Sequence, residues 1–401
     1  MATSLRLLGD APAAAHVSPA WAAKGFRPFF LLSAVFAAFI VPLWLLVLAG
    51  VVRADGHFDP ISWHGHEMVF GFAVGVIAGF LLTAVANWTS RETAVGRPLM
   101  ILSALWLAGR LALLAGPALP RAAVGGIDLA FLPALALTVG WPIFATRNSR
   151  NYPVFGMLTA LWLANLAMHL DALGLAPGWR RRGNLAAVEL VTLLILFMAA
   201  RVFPMFTRNA TGVETIRNLA KLDLATVASM LALTIADLLA PGHVAGTALA
   251  GATAVLAIAR CATWGARHTL RQPLLWILHV GHAWIPVGLA LRVVSALTPA
   301  VPASSALHAL TAGAIGCTTL GMMARVALGH TGRPLVPSRA VTIAFLLIVL
   351  AAVVRVAGTL TSESYRSALY ISGGLWTLAF ALFVAAYAAI LCRPRLDGKP
   401  G

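Results

Sequence analysis

Charge is scarce in this chain of 401 residues: 10% of positions are Asp, Glu, Lys or Arg, against about 25% in a soluble globular domain. With 60% hydrophobic residues and a mean hydropathy of +0.88, that shortage excludes a soluble protein. Acidic residues are scarcest, 13 against 29 Lys and Arg, leaving a net charge of +16. The basic residues are scattered through short loops rather than gathered in one patch, so the charge reads as a topology signal and not as a nucleic-acid surface. Cysteine is nearly absent too. Cys261, Cys317 and Cys392 form no Cys-x-x-Cys or Cys-x-x-Cys-His, which excludes covalently attached c-type haem and argues against a cysteine-ligated iron–sulfur cluster. No Gly-rich dinucleotide fingerprint follows a strand. The first 28 residues carry Arg6, Asp10, Lys24 and Arg27 with no uninterrupted apolar run, so no cleaved signal peptide is expected.

What is present is one apolar window after another. A spanning helix needs about 20 mainly apolar residues, and twelve such windows fall at 29–51, 62–88, 98–116, 122–145, 152–175, 184–206, 219–240, 244–266, 273–297, 304–328, 339–360 and 367–391. The chain is therefore read as an all-α polytopic membrane protein: a cytoplasmic tail over 1–28, one twelve-helix domain over 29–391, and a second cytoplasmic tail over 392–401. With the N-terminus inside, 17 of the Lys and Arg residues face inward and 6 outward, which places both termini in the cytoplasm. Arg180, Arg181 and Arg182 breach that rule. Six arginines remain within spans; Arg260 and Arg355 are read as snorkelling from helix ends.

Arg201 and Arg325 sit in near-identical stretches, Met198-Ala199-Ala200-Arg201-Val202 and Met322-Met323-Ala324-Arg325-Val326, with Thr207 and Thr331 at the same distance beyond. His66, Gly71, Gly79 and Thr89 match His308, Gly313, Gly321 and Thr331 at identical spacing. Helices two, six and ten are four spans apart and run the same way, and the simplest reading is three parallel repeats of four helices. Gly71, Gly75 and Gly79 form a small-residue stripe, which suits either close helix packing or the approach of a flat cofactor.

The histidines sort by depth at about 1.5 Å per residue. His64, His66, His169 and His308 fall in an outer layer with Glu67, Asp171 and Glu189; His279, His282 and His330 lie in the inner half near Arg201 and Arg325; His16, His57, His243 and His268 fall in tails or loops and read as solvated. Ionisable groups at membrane depth are functional hypotheses by default, and neutral imidazole ligates metals and haem. His66 and His308 read as ligands, His64 and His169 as either ligands or hydrogen-bonding groups, and His282 as a helix-to-helix hydrogen bond. Asp59-Pro60 reads as a cap and first helical residue. The helix then starts before both His64 and His66, which face different ways, and Glu67 shares a face with His64 and is placed to orient its ring.

Several long motifs carry a resemblance. Lys24-Gly25-Phe26-Arg27-Pro28-Phe29-Phe30, Trp63-His64-Gly65-His66-Glu67-Met68 with Gly79 through Thr89, Arg201-Val202-Phe203-Pro204-Met205-Phe206-Thr207, and Leu307-His308-Ala309 through Arg325 to Gly329-His330-Thr331-Gly332-Arg333-Pro334 closely resemble the NnrS family over nearly the whole chain. The resemblance implies a bacterial inner-membrane protein that contains haem, non-covalent and b-type, and copper, and that protects against nitric oxide. The architecture also resembles the main subunit of haem–copper oxidases. By that analogy His66 and His308 are the axial ligands of one haem. Outward-facing Arg180 to Arg182 read either as partners for haem propionates or as a merely tolerated basic loop. The histidines that fold carries on helices six and seven are absent here, so copper would sit elsewhere, on His64, His169 and Glu189 or on His279, His282 and His330.

Three functions stand: a redox or nitric-oxide-handling haem protein, a transporter using intramembrane His and Arg, and a sensor or metal-homeostasis protein. The resemblance favours the first or third. Electrons for a redox reaction would come from a quinone or a protein partner. No nucleic-acid partner is expected.

Overall fold

In the computed structural model, which describes residues 19–54 and 56–399, twelve helices are long and apolar enough to cross a membrane. They are α1 (Phe26–Leu48), α2 (Pro60–Thr89), α3 (Arg97–Ala115), α4 (Arg121–Ala145), α5 (Ser149–Ala172), α6 (Trp179–Thr211), α7 (Ala220–Leu239), α8 (Val244–Cys261), α9 (Pro273–Leu297), α10 (Ala303–His330), α11 (Arg339–Ala357) and α12 (Glu363–Cys392). No strand occurs among the described residues. The spans expected from hydropathy each find their helix. The largest departure is α6, whose 33 residues reach about 50 Å. That exceeds the hydrocarbon core of about 30 Å, so its ends extend into polar surroundings, which is why hydropathy trims it. Most of the tail expected over 1–28, with His16, lies outside the described residues.

Enclosure separates the helices. The apolar windows of α2, α6 and α10 are 83%, 72% and 78% buried inside the bundle, while α9 reaches 61% and no other exceeds 44%. The first three therefore form the centre. They touch one another, and α1 packs on α12 so that the first and last spans meet. With an even number of crossings both chain ends lie at one face, here the terminal face; the other is the far face. The ends are tied together there: Arg27 Nη1 donates to the Leu391 and Arg393 carbonyls at 3.0 and 2.6 Å, and Arg395 Nη1 donates to the His330 carbonyl at 2.9 Å.

Local chemistry at the head of α2 follows the sequence. Asp59 caps the helix, Oδ1 accepting from Ser62 N at 3.0 Å, with Pro60 at the first position. A π-helical segment then runs from Glu67 to Ala73, and a second from Ala309 to Ile315 in α10. Each starts one residue after the histidine that heads its helix. Such segments widen the helix by one residue per turn and often mark functional sites. The glycine stripe serves packing: a Cβ on Gly75 would meet Trp106 Nε1 at 3.2 Å, and one on Gly79 would meet Phe30 at 2.8 Å.

Candidate metal and cofactor sites at the far face

Five consecutive parts of the chain converge at the far end of α2. His66 and Glu67 come from α2, Arg110 from α3, Asp128 from α4, Asn165 and His169 from α5, and His57 from the loop before α2; all are buried. Arg110 is the hub, donating to Glu67 Oε1 at 2.7 Å and to Asp128 Oδ1. Asp128 Oδ2 receives the rest: Asn165 Nδ2 donates to it at 2.8 Å, His169 Nε2 lies at 3.0 Å and His66 Nε2 at 3.2 Å. His66 Nε2 is also 2.8 Å from Asn165 Oδ1, and its Nδ1 is 3.3 Å from Glu67 Oε1. His57 Nε2 sits 2.7 Å from His169 Nδ1, which turns the other nitrogen of His169 toward Asp128. Burial pushes the His57 imidazole down to about 4, and His169, His66 and Arg121 act in the same direction, so it is neutral at physiological pH.

One ligand atom from each of His66, Asp128 and His169 lies within 4.8 Å of the others. A metal bound at about 2.0–2.2 Å holds ligands at right to tetrahedral angles about 2.9–3.5 Å apart, and the two His–Asp separations fall in that range. Two carboxylates and one guanidinium leave the cluster with one net negative charge when its imidazoles are neutral. In a low-dielectric interior that favours a cation, whether a metal ion or an imidazolium proton.

The sequence model of a family described as NnrS protein matches residues 20–395. The chain belongs to the NnrS family. No curated protein matches it.

The other candidates of this NnrS-family chain separate into distinct places. His64 leaves His66 and stacks on Trp44 of α1, centroids 4.4 Å apart and planes 8° apart. His308 and Arg355 act on it electrostatically. His308 Nδ1 lies 2.7 Å from the Ser304 carbonyl. His66 meets His169, ring centroids 5.5 Å apart, while His308 acts electrostatically on His64. Glu67 does not orient His64, because the charged Arg110 is a stronger partner for a buried carboxylate than a neutral ring. Glu189 joins neither group. Arg292 of α9 donates to Glu189 at 2.9 Å and to Asp237 Oδ1 at 2.6 Å. The set His64, His169 and Glu189 is therefore dispersed over three clusters.

At the terminal face, His279 Nε2 lies 3.0 Å from Thr207 Oγ1, and His282 Nδ1 lies 3.1 Å from Cys261 Sγ. His330 packs instead against Phe26, ring centroids 5.7 Å apart, so the set of His279, His282 and His330 does not assemble. Arg201 donates to Asn151 Oδ1 at 2.6 Å and the Arg150 carbonyl at 2.7 Å, and lies over Phe197. Arg325 lies over Phe206, its guanidinium carbon 4.0 Å from the ring centroid.

Three expectations change. His57 is buried rather than solvated, because the loop before α2 folds it over His169. Arg260 does not snorkel; it is 1% exposed, donates to the Leu196 carbonyl at 2.9 Å and lies 3.2 Å from Asp223. Arg180 is held by Asp171 and Asp59 at 2.6 and 2.7 Å, which accounts for a basic residue on that side without any propionate. The residues missed in sequence are Asp128, Asn165 and, as a hub, Arg110. The signal for two of them was there: each is a lone charge inside an apolar window.

Proposed function

We propose that this protein binds haem and copper in the bacterial cytoplasmic membrane and protects against nitric oxide, with both termini cytoplasmic as the arginine distribution suggests. Membership of the NnrS family supports a membrane protein related to nitric-oxide stress. The observation that carries the metal reading is the convergence of His66, His169 and Asp128 on one buried point in a cluster that lacks one positive charge. Two imidazoles and a carboxylate suit copper among the borderline metals. When bound, such an ion supplies one-electron redox chemistry and affinity for nitric oxide.

The chain's own residues prepare that point. His57 fixes which nitrogen of His169 faces it, and Asn165 spans His66 and Asp128. Arg110 anchors the carboxylate edge, and Phe58 and Phe70 close over the His66 ring with centroids 5.1 and 4.9 Å away, excluding water. A quinone or a protein partner would supply electrons, since no dinucleotide-binding segment is present in the sequence.

Metal analysis of the purified wild type, His66→Ala, His169→Ala and the loop control His268→Ala tests the reading. Copper near one per chain in wild type and control, with a loss of about tenfold or more in the two cluster variants, is expected. Wild-type levels in both cluster variants would overturn the site.

A further inference from the structure

At the head of α10 two buried polar atoms, one on His64 and one on Arg355, are left unmet. His64 keeps a buried Nδ1 with no hydrogen-bond partner, and its ring plane is fixed by the stack on Trp44. His308 places Nδ1 against the Ser304 carbonyl. A carbonyl only accepts, so that nitrogen carries the proton and Nε2 presents a lone pair, the state of a ligating imidazole. Arg355 of α11 acts electrostatically on both rings, has a buried Nη1 with no partner, and appears in none of the ion pairs among the described residues. Buried donors and acceptors are nearly always satisfied. Two unmet buried atoms, on His64 and Arg355, together with the His308 lone pair, therefore point to a ligand that offers a metal to two imidazoles and an anion to a guanidinium.

We propose that His64 and His308 are the two axial ligands of the haem and that Arg355 binds one of its carboxylates. The assignment rests on the reading of this protein as a haem protein. Haem fits the chemistry of the donor set: a metal that takes two imidazoles, and propionates that take a guanidinium. His66 does not compete, because its ring faces His169 and Asp128 rather than His308.

The test is the Soret absorbance per protein and the electron paramagnetic resonance of full-length protein purified from haem-supplied cells. His64→Ala and His308→Ala are each expected to lose the low-spin bis-imidazole signal and most of the haem, with added imidazole restoring the signal. Recovery by imidazole also shows that the variants are folded. His66→Ala is expected to keep both the band and the signal. Arg355→Gln is expected to lower haem retention about tenfold, the loss of one charge-assisted hydrogen bond. Low-spin signals unchanged in both His64→Ala and His308→Ala, or lost in His66→Ala alone, would overturn the assignment. A wild type without any Soret band would overturn the haem reading itself, and that result is distinguishable from the others.

Discussion

Removing Arg110 is the sharpest probe of the far-face cluster. Its guanidinium is 4% exposed and neutralises one of two carboxylates that are 0% and 3% exposed. Arg110→Met keeps the length of the side chain and strands Glu67 and Asp128 together as two negative charges. Breaking a buried pair in this way costs about 3–5 kcal/mol, mostly the uncompensated charge. Unfolding entropy of about 2.1 cal/mol/K per residue over 401 residues converts that to a fall in Tm of about 4–6 °C. The assay is fluorescence-monitored melting in detergent micelles after chelator treatment, so that bound metal does not mask the charge. Adding Glu67→Gln and then Asp128→Asn should restore the midpoint in two steps. An Arg110→Met midpoint equal to wild type, or a triple variant no more stable than the single one, would refute the argument that charge rather than packing sets the cost.

Asp59 tests the head of α2. Although burial pushes its carboxyl up, the hydrogen bonds from Ser62 and the Arg180 guanidinium hold it below the usual value. Its contribution is complete above the ordinary carboxylate range and disappears as pH falls through the lowered folded pKa. Asp59→Ala should cost about 1 kcal/mol, the loss of an N-cap, and a melting series from neutral to acid pH should show wild type converging on the variant. Arg180→Ala should cost no more than about 1 kcal/mol and less at high salt, since that pair is partly exposed; a larger, salt-insensitive loss in the same assay would contradict it. Gly71→Ala should destabilise by about 1–3 kcal/mol through overpacking, because its Cβ would lie 2.9 Å from Phe36 Cζ and 3.1 Å from Arg110 Nη1. An equal or raised Tm would show that the stripe has slack.

Hydropathy and loop punctuation made the twelve spans legible, and the Asp59-Pro60 pair located the start of α2. The depth of the histidines was legible for the same reason, because rise per residue is constant in a helix. Azimuth was not. Whether His66 faces α10 or α5 depends on how the helices circle one another, and the π-helical segment that begins at Glu67 breaks the periodicity on which a rotational argument relies. Asp128 shows a second limit. It lies in α4 three residues after Gly125, and only the close approach of His169 to Gly125, whose Cβ would meet Nδ1 at 3.2 Å, reveals why that position is small.

The far face holds three polar clusters, one at the head of each central helix, and the sign of their unbalanced charge separates them. Glu67, Asp128 and Arg110 sum to one negative charge beside imidazoles with ligand spacing, which suits a metal cation. Glu189, Asp237 and Arg292 also sum to one negative charge but bring no imidazole, so they lack the ligand set of the first cluster. Arg355 with His64 and His308 carries the opposite sign, and an anion is what it lacks. A charge at membrane depth is tolerated only when something compensates it. The residual charge of each cluster therefore bears on the class of partner it suits more directly than the identity of any one residue: a cation suits the clusters of α2 and α6, and an anion suits that of α10.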